Sequence, residues 1–322
     1  MGDTMRSLGE QGLLARLAPL LHAHTQGLPL GTGDDAAITE GTGSQRLVWT
    51  IDTMVESTHF RWWNHPLCTP HAIGWKLAQT NLSDLASKGA DPLFALLSVG
   101  IPGSVMADAA SDFVAGVADA ISAAGARLIG GDTVASPVWT ATLALVGALP
   151  DGRAIAARSN ARPGMSVFVT GHPGESGAGL EILEGRLAIA DVALADHFVA
   201  RHLRPVARLD AGRFLVEQFR DIAMLDLSDG IAIDAQRIAE ASGVCVLIEE
   251  SLLPKDSPAE PYVLTGGESY ELLFCVESTG DELPRQIPGI RRIGHVEAGS
   301  GAWLMKADGG RVPLGGGFRH FQ

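Results

Sequence analysis

The chain has 322 residues, 46% of them hydrophobic and 19% charged, with a formal net charge of −13. This composition describes a folded chain with a sizeable core, and the length fits one large domain or two of ordinary size. The acidic balance excludes the basic face that nucleic acid or an anionic membrane would need, and it suits a protein that holds cations. Cys68, Cys245 and Cys275 lie far apart with no C-x-x-C spacing, so neither a disulfide framework nor a zinc site is expected. No stretch reads as a leader or a membrane span, and a reduced cytoplasmic setting is expected.

Ser7 and Glu10 have the S-x-x-E spacing of a capping box, which predicts a first helix over "GLLARLAPLLHAH". The stretch "LGTGDDAAIT" (30–39) then sets Asp34 beside Asp35 between a glycine turn and an apolar run. Two like charges there repel, and burial raises their pKa values, so a positive partner is expected. "RLVWTIDT" (46–53) predicts a strand ending on Asp52, "HAIGWKLAQTNLSDLASKG" a helix closed by Gly89, and "PLFALLSVGI" a buried strand. Residues 105–124 predict a helix, "RLIGGDT" a strand passing into a loop, and "VWTATLALVGALP" a further strand.

The composition changes at "PDGRAIAARSNARPG" (150–164), which sets an expected boundary between a first domain, 1–150, and a second, 151–322. Beyond it come the strand "SVFVTG", a glycine loop and helix over 171–184, and a basic helical segment around "RHLRPVAR". The strand "IAMLDL", the helix "GIAIDAQRIAEASG", the strand "VCVLIEE" and the segment "GGESYELLFCV" follow. Strands alternating with helices in both halves predict an α/β fold of two domains.

The chemically suggestive residues are aspartates in similar positions. Asp34 and Asp35 follow a glycine turn, Asp52 ends a strand, Asp132 follows Gly130 and Gly131, and Asp226 and Asp229 sit in "LDLSDG". Asp84 lies on a helix, with Asn81 one turn earlier on the same face. Singly, each has an ordinary reading: Asp229 as an N-cap, Asp84 as a solvated helix residue, Asp34 and Asp35 as turn formers. Together they exceed turn chemistry, because ligands in α/β proteins gather at strand ends. Hard oxygen donors of this kind suit Mg²⁺, above all where phosphates share the coordination shell.

Other nucleotide motifs are missing. There is no G-x-x-x-x-G-K-[ST] loop and no protein-kinase H-R-D or D-F-G set. "GTGDDA" fits G-x-G-x-x-A, but Ile38 to Gly41 cannot extend a dinucleotide-binding helix, and two carboxylates would face the pyrophosphate. "GHPGESGAGLEIL" (171–183) reads equally as an anion cradle or a structural loop. Arg201, His202, Arg204 and Arg208 read as structural ion pairs around a rigid corner at Pro205, and His59 is the only histidine close to the acidic motifs.

"GTGDDAAI", "IDTMVESTHF", "GWKLAQTNLSDLASKGADP", "IGGDT", "RHLRPVAR", "LDLSDGI" and "GGESYELLF" occur in an order that resembles the thiamine-monophosphate kinases. These belong to the superfamily of aminoimidazole ribonucleotide synthetase-like enzymes that use ATP. The resemblance runs from about residue 7 to "GGGFRHF", nearly the whole chain. It implies an N-terminal α/β domain that forms a homodimer through its sheet, a C-terminal α/β domain, and ATP bound between them with several Mg²⁺ ions. Carried over by motif, Asp35, Thr50, Asp52, Asp84, Asp132, Asp226 and Asp229 match metal-binding positions. Gly131, Asp132, Arg158 and Ser228 match ATP contacts, and His59, Glu268 and Phe318 match positions that hold the thiamine phosphate. Three residues depart from the family pattern: Ser269 replaces an Asp, Glu175 stands in a G-D-S loop, and Ile51 replaces a common hydroxyl residue.

The implied reaction moves the γ-phosphoryl group of ATP onto the phosphate of thiamine monophosphate. That acceptor is already mostly dianionic at neutral pH, since its second pKa is about 6, so no strong general base is needed. The difficulty is charge: several Mg²⁺ ions would offset the phosphates and carboxylates, with Asp35 expected to ligate from the Asp34–Asp35 pair. A different synthetase of the superfamily and a non-catalytic nucleotide-binding dimer are the alternatives. An intact aspartate set speaks against the second.

Overall fold

The computed structural model describes residues 4–43, 45–255, 257–278, 283, 287 and 289–317. Strand β2 (Gln45–Val55) alternates strictly, burying Val48, Thr50 and Met54 while Trp49 and Ile51 stay exposed, as a half-covered strand should. It belongs to a five-stranded sheet with β1 (Ala37–Glu40), β3 (Asp91–Ile101), β4 (Arg127–Ala135) and β5 (Thr140–Pro150), in the order β1-β2-β5-β3-β4. Only β3 and β4 pair in parallel.

Helices α2 (Pro70–Ser87) and α3 (Ala107–Ala123) pack against each other, and α2 also packs on β2 and β5. Two glycines set the closeness of the helix pair: a methyl at Gly74 would overlap the Phe113 carbonyl, and one at Gly116 would overlap that of His71. The other face of the sheet exposes Trp49, Ile51, Phe94 and Leu96.

The second half forms a seven-stranded sheet from β6 (Ser166–Val169), β7 (Ala223–Asp226), β8 (Cys245–Glu249), β9 (Leu272–Val276), β10 (Arg291–Glu297), β11 (Gly301–Met305) and β12 (Arg311–Pro313). Their order is β12-β11-β8-β10-β6-β9-β7, and only β8 and β11 run in parallel. Helix α7 (Ile231–Ser242) lies on this sheet; α4 (Glu175–Leu183) packs on α5 (Val192–Leu203), and α6 (Leu209–Gln218) on α2. One apolar core crosses the junction, joining Leu77 and Leu82 of α2 to Phe168, Met224 and Phe274 of the second sheet. Helix α2 is therefore buried nearly all round, and polar side chains on it must find partners inside the protein.

Four local expectations need correction. The cap of α1 (Met5–Thr25) is Thr4, whose side chain accepts from the Ser7 amide while Ser7 accepts from Thr4; Gly9, at φ 69°, breaks the S-x-x-E span. Strand β2 continues to Val55, so Asp52 lies inside it rather than at its end. β4 continues to Ala135, so Gly131 and Asp132 are strand residues, held by pairing with β3. "RHLRPVAR" is not one helix: α5 stops at Leu203 because Arg204 precedes Pro205, which disfavours the helical conformation there. Among the described residues, no helix is long and apolar enough to cross a membrane.

Candidate active site

A cleft of about 1260 Å³ opens between the two halves, and α2 forms its spine. Thr80 and Asp84 of α2 line it, and with Lys76 they follow one another at four-residue intervals, stacked along one face of the helix.

At one end Asp35, Asp84 and Asp226 each offer a carboxylate oxygen, all within 4.8 Å of one another. Asp52 adjoins them, and its Oδ2 is buried without a hydrogen-bond partner. The positive partner demanded by the Asp34–Asp35 pair is Lys88, which is fully buried just past the end of α2. Its Nζ lies 2.5 Å from Asp34 Oδ1 and 2.9 Å from Asp35 Oδ2. Arg158 pairs with the other oxygen of Asp35 and donates its backbone amide to Asp34 Oδ2 at 2.9 Å.

Burial alone would raise Asp35, but the Lys88 and Arg158 cations overcome it and hold the carboxyl at about 2. The neighbours have no such cover. Burial, with the charge of Asp35, pushes Asp52 up to about 6 and Asp226 up to about 8. Asp84 is raised well above the usual range by burial and by Asp52, Asp226 and Asp35, although Thr50 donates to it. The cluster carries more carboxylates than its two cations balance. Its donors are hard oxygens, one of them unpartnered, so the residues fit a divalent cation of the Mg²⁺ kind.

Asp229 is not the N-cap of α7; that position is Gly230, which has no side chain. Instead Asp234, fully buried, accepts from the amides of Asp229 and Gly230, and Arg237 bridges Asp234 at 2.6 Å and Asp229 at 2.5 Å.

At the other end stands Glu268, in a left-handed backbone conformation at φ 55°. Its amide donates to the Ser228 carbonyl at 2.7 Å, and its side chain meets Lys76 and His202. His59 accepts from the Val55 amide at Nδ1, 3.1 Å away, which aims its ring into the cleft. Of the basic segment, Arg201 and Arg208 are structural, as expected, both gripping Glu271, which has no exposure, whereas His202 lines the cleft.

The structure thus brings Asp35, Asp52, Asp84, Asp226, Asp229, Arg158, Ser228, His59 and Glu268 to one cleft, with Thr50 directly behind Asp84. Gly131 and Asp132 are not among the described residues that line it. Asp132 is exposed on the edge strand, in register through Ser98 and Thr142 with Thr53, and so projects from the sheet face opposite to Asp52. Phe318 lies outside the described residues. Sequence reading missed Lys76, Lys88, His202 and Arg237. Two lysines spaced among apolar positions of one helix were the available signal for the first two.

The family "AIR synthase related protein, N-terminal domain" matches residues 33–149. Thiamine-monophosphate kinase of Escherichia coli (strain K12) is 38% identical over 279 residues, covering 83% of this chain and 82% of the relative. The enzyme of the same description from Bacillus subtilis (strain 168) is 35% identical over 317 residues, covering 93% and 95%. Among solved structures, AaThiL complexed with AMPPCP and TMP superposes with a TM-score of 0.85 at 30% identity, covering 99% of both chains. With this identity sustained over most of both lengths, the chain belongs to the thiamine-monophosphate kinase family.

Proposed function

We propose that the protein transfers the γ-phosphoryl group of ATP to the phosphate of thiamine monophosphate, giving thiamine diphosphate and ADP. The carrying observation is the cluster of Asp35, Asp84 and Asp226 at one end of a cleft whose other end is closed by Glu268. An acceptor phosphate oxygen attacks the γ-phosphorus while the bond to the bridging oxygen of ADP breaks. Because that oxygen is already ionised, the site needs no general base. Asp35, Asp52, Asp84 and Asp226 would hold Mg²⁺, with Thr50 and Asp229 adjoining, and the bound cations would neutralise phosphate charge and orient the reacting groups. Arg158 and Ser228 face the cleft where they can bind nucleotide phosphates, and His59 and Glu268 flank the acceptor end. In this reading residues 1–150 supply most of the carboxylates and residues 151–322 complete the site. The free state of all three cysteines agrees with a cytoplasmic setting.

The reading includes a homodimer. The sheet face bearing Trp49, Ile51, Phe94 and Leu96 is an apolar surface of the kind that marks an interface, and a second copy covers it best because its own apolar face is complementary. The cleft reaches Ile51 and Thr53 on that face. Asp132 of one copy therefore serves the cleft of the other. Incubation with ATP, Mg²⁺ and thiamine monophosphate should yield thiamine diphosphate, and chelation should abolish it. Product formed only with another acceptor would overturn the assignment.

A further inference from the structure

A lysine with 1% of its side chain exposed, in a helix at the centre of the molecule, needs a reason. Lys76 Nζ lies 2.7 Å from Glu268 Oε1 and 3.2 Å from His202 Nε2. An ammonium only donates, so Nε2 of His202 is the acceptor and the imidazole proton sits on Nδ1. Nδ1 faces Ser176 Oγ at 3.2 Å and Glu268 Oε2 at 3.7 Å. The ring stays neutral: burial and the adjacent Lys76 charge lower His202 to about 3.

We propose that Lys76 is a positioning residue for the acceptor, fixing the Glu268 carboxylate as an anionic hydrogen-bond acceptor at the end of the cleft remote from the aspartates. The inference rests on the reading that thiamine monophosphate binds there. Glu268 is held by Lys76 of α2, by His202 of α5, and by its own amide on Ser228, and His59 from the segment after β2 lines the same cleft. Its left-handed backbone is a conformation that persists only where the surroundings over-determine it. Burial would push this carboxyl up, and the Lys76 charge, together with its hydrogen bond, brings it below the usual range instead. Held so, it receives N–H donors of an amino-substituted cationic heterocycle without taking a proton from solvent. Lys76 and Asp84 are eight residues apart on one helix face, a rise of about 12 Å, so α2 spaces the ring end of the acceptor from the phosphoryl end.

The test is the near-isosteric Lys76→Met, assayed across pH 6 to 9. The KM for thiamine monophosphate should rise about tenfold or more and climb further toward pH 6, while the KM for ATP and kcat at saturation stay within about twofold. Glu268→Gln should raise the same KM without the added pH dependence, and the double variant should match it, because Lys76 acts only through Glu268. The double variant also leaves no unpaired buried charge, so it serves if the single one fails to fold. Should Glu268→Gln raise the KM while Lys76→Met leaves it unchanged, or should Lys76→Met weaken both substrates equally at every pH, the inference fails and the acceptor site stands. If Glu268→Gln leaves that KM unchanged, the placement of the acceptor fails as well.

Discussion

Lys88 and Arg158 divide the aspartates of the cleft into two kinds. Asp35 sits under both cations and is ionised at any ordinary pH, whereas Asp52 and Asp226 are buried beside its charge and resist ionisation. The two raised carboxyls bind protons in the folded chain that they release on unfolding, where an aspartate titrates near 3.8. Their contribution to stability without metal is therefore fully favourable below that value and is lost as pH rises through about 6 and then about 8. The chelated protein should accordingly melt lower at pH 8.5 than at pH 6, and Mg²⁺ should raise Tm more at pH 8.5, where the carboxylates are free to receive it. Calorimetry showing an equal or larger Mg²⁺ effect at pH 6 would contradict this account of the cluster. At this scale the sequence displayed the acids clearly, because aspartates beside glycines and at strand ends stand out. It concealed Lys76 and His202, whose roles exist only where α2, α5 and the Glu268 loop converge, and Lys88, whose role exists only where the end of α2 meets the Asp34–Asp35 turn.

Helix α2 carries Lys76, Thr80, Asp84 and, just past its end, Lys88, so its exact height above the sheet sets the geometry of the whole site. That height depends on α3, which approaches closely because Gly74 and Gly116 offer no side chain to the facing carbonyls. Gly74→Ala should force the helices apart, lowering stability by about 1–3 kcal/mol in chemical denaturation, with both substrate KM values rising together. A Tm loss with unchanged kinetics would mean that α2 moves without carrying the site. Most elements were legible, since helical and strand periodicities are local signals. The run of β4 through Gly130, Gly131 and Asp132 was not: glycines favour a loop locally, and only pairing with β3 makes this segment extended.

On the scale of the molecule, the position of Asp132 is the instructive one. Within one chain it projects from the sheet face opposite to Asp52, three strands away, so it cannot join the cluster formed by Asp35, Asp84 and Asp226. A homodimer through the Trp49, Ile51, Phe94 and Leu96 face would bring it to the partner's cleft, and the arrangement has a consequence that a site built within one chain lacks. Asp132→Asn and Asp35→Asn should each abolish most activity alone. Mixed and allowed to exchange subunits, the two inactive variants should recover activity, because a heterodimer holds one cleft with an intact Asp35 from one chain and an intact Asp132 from the other. Random pairing makes half the dimers mixed, each with one working cleft of two, so recovery should approach about a quarter of wild type. If the variants demonstrably exchange subunits, by mass or fluorescence, yet remain inactive, Asp132 does not act across the interface.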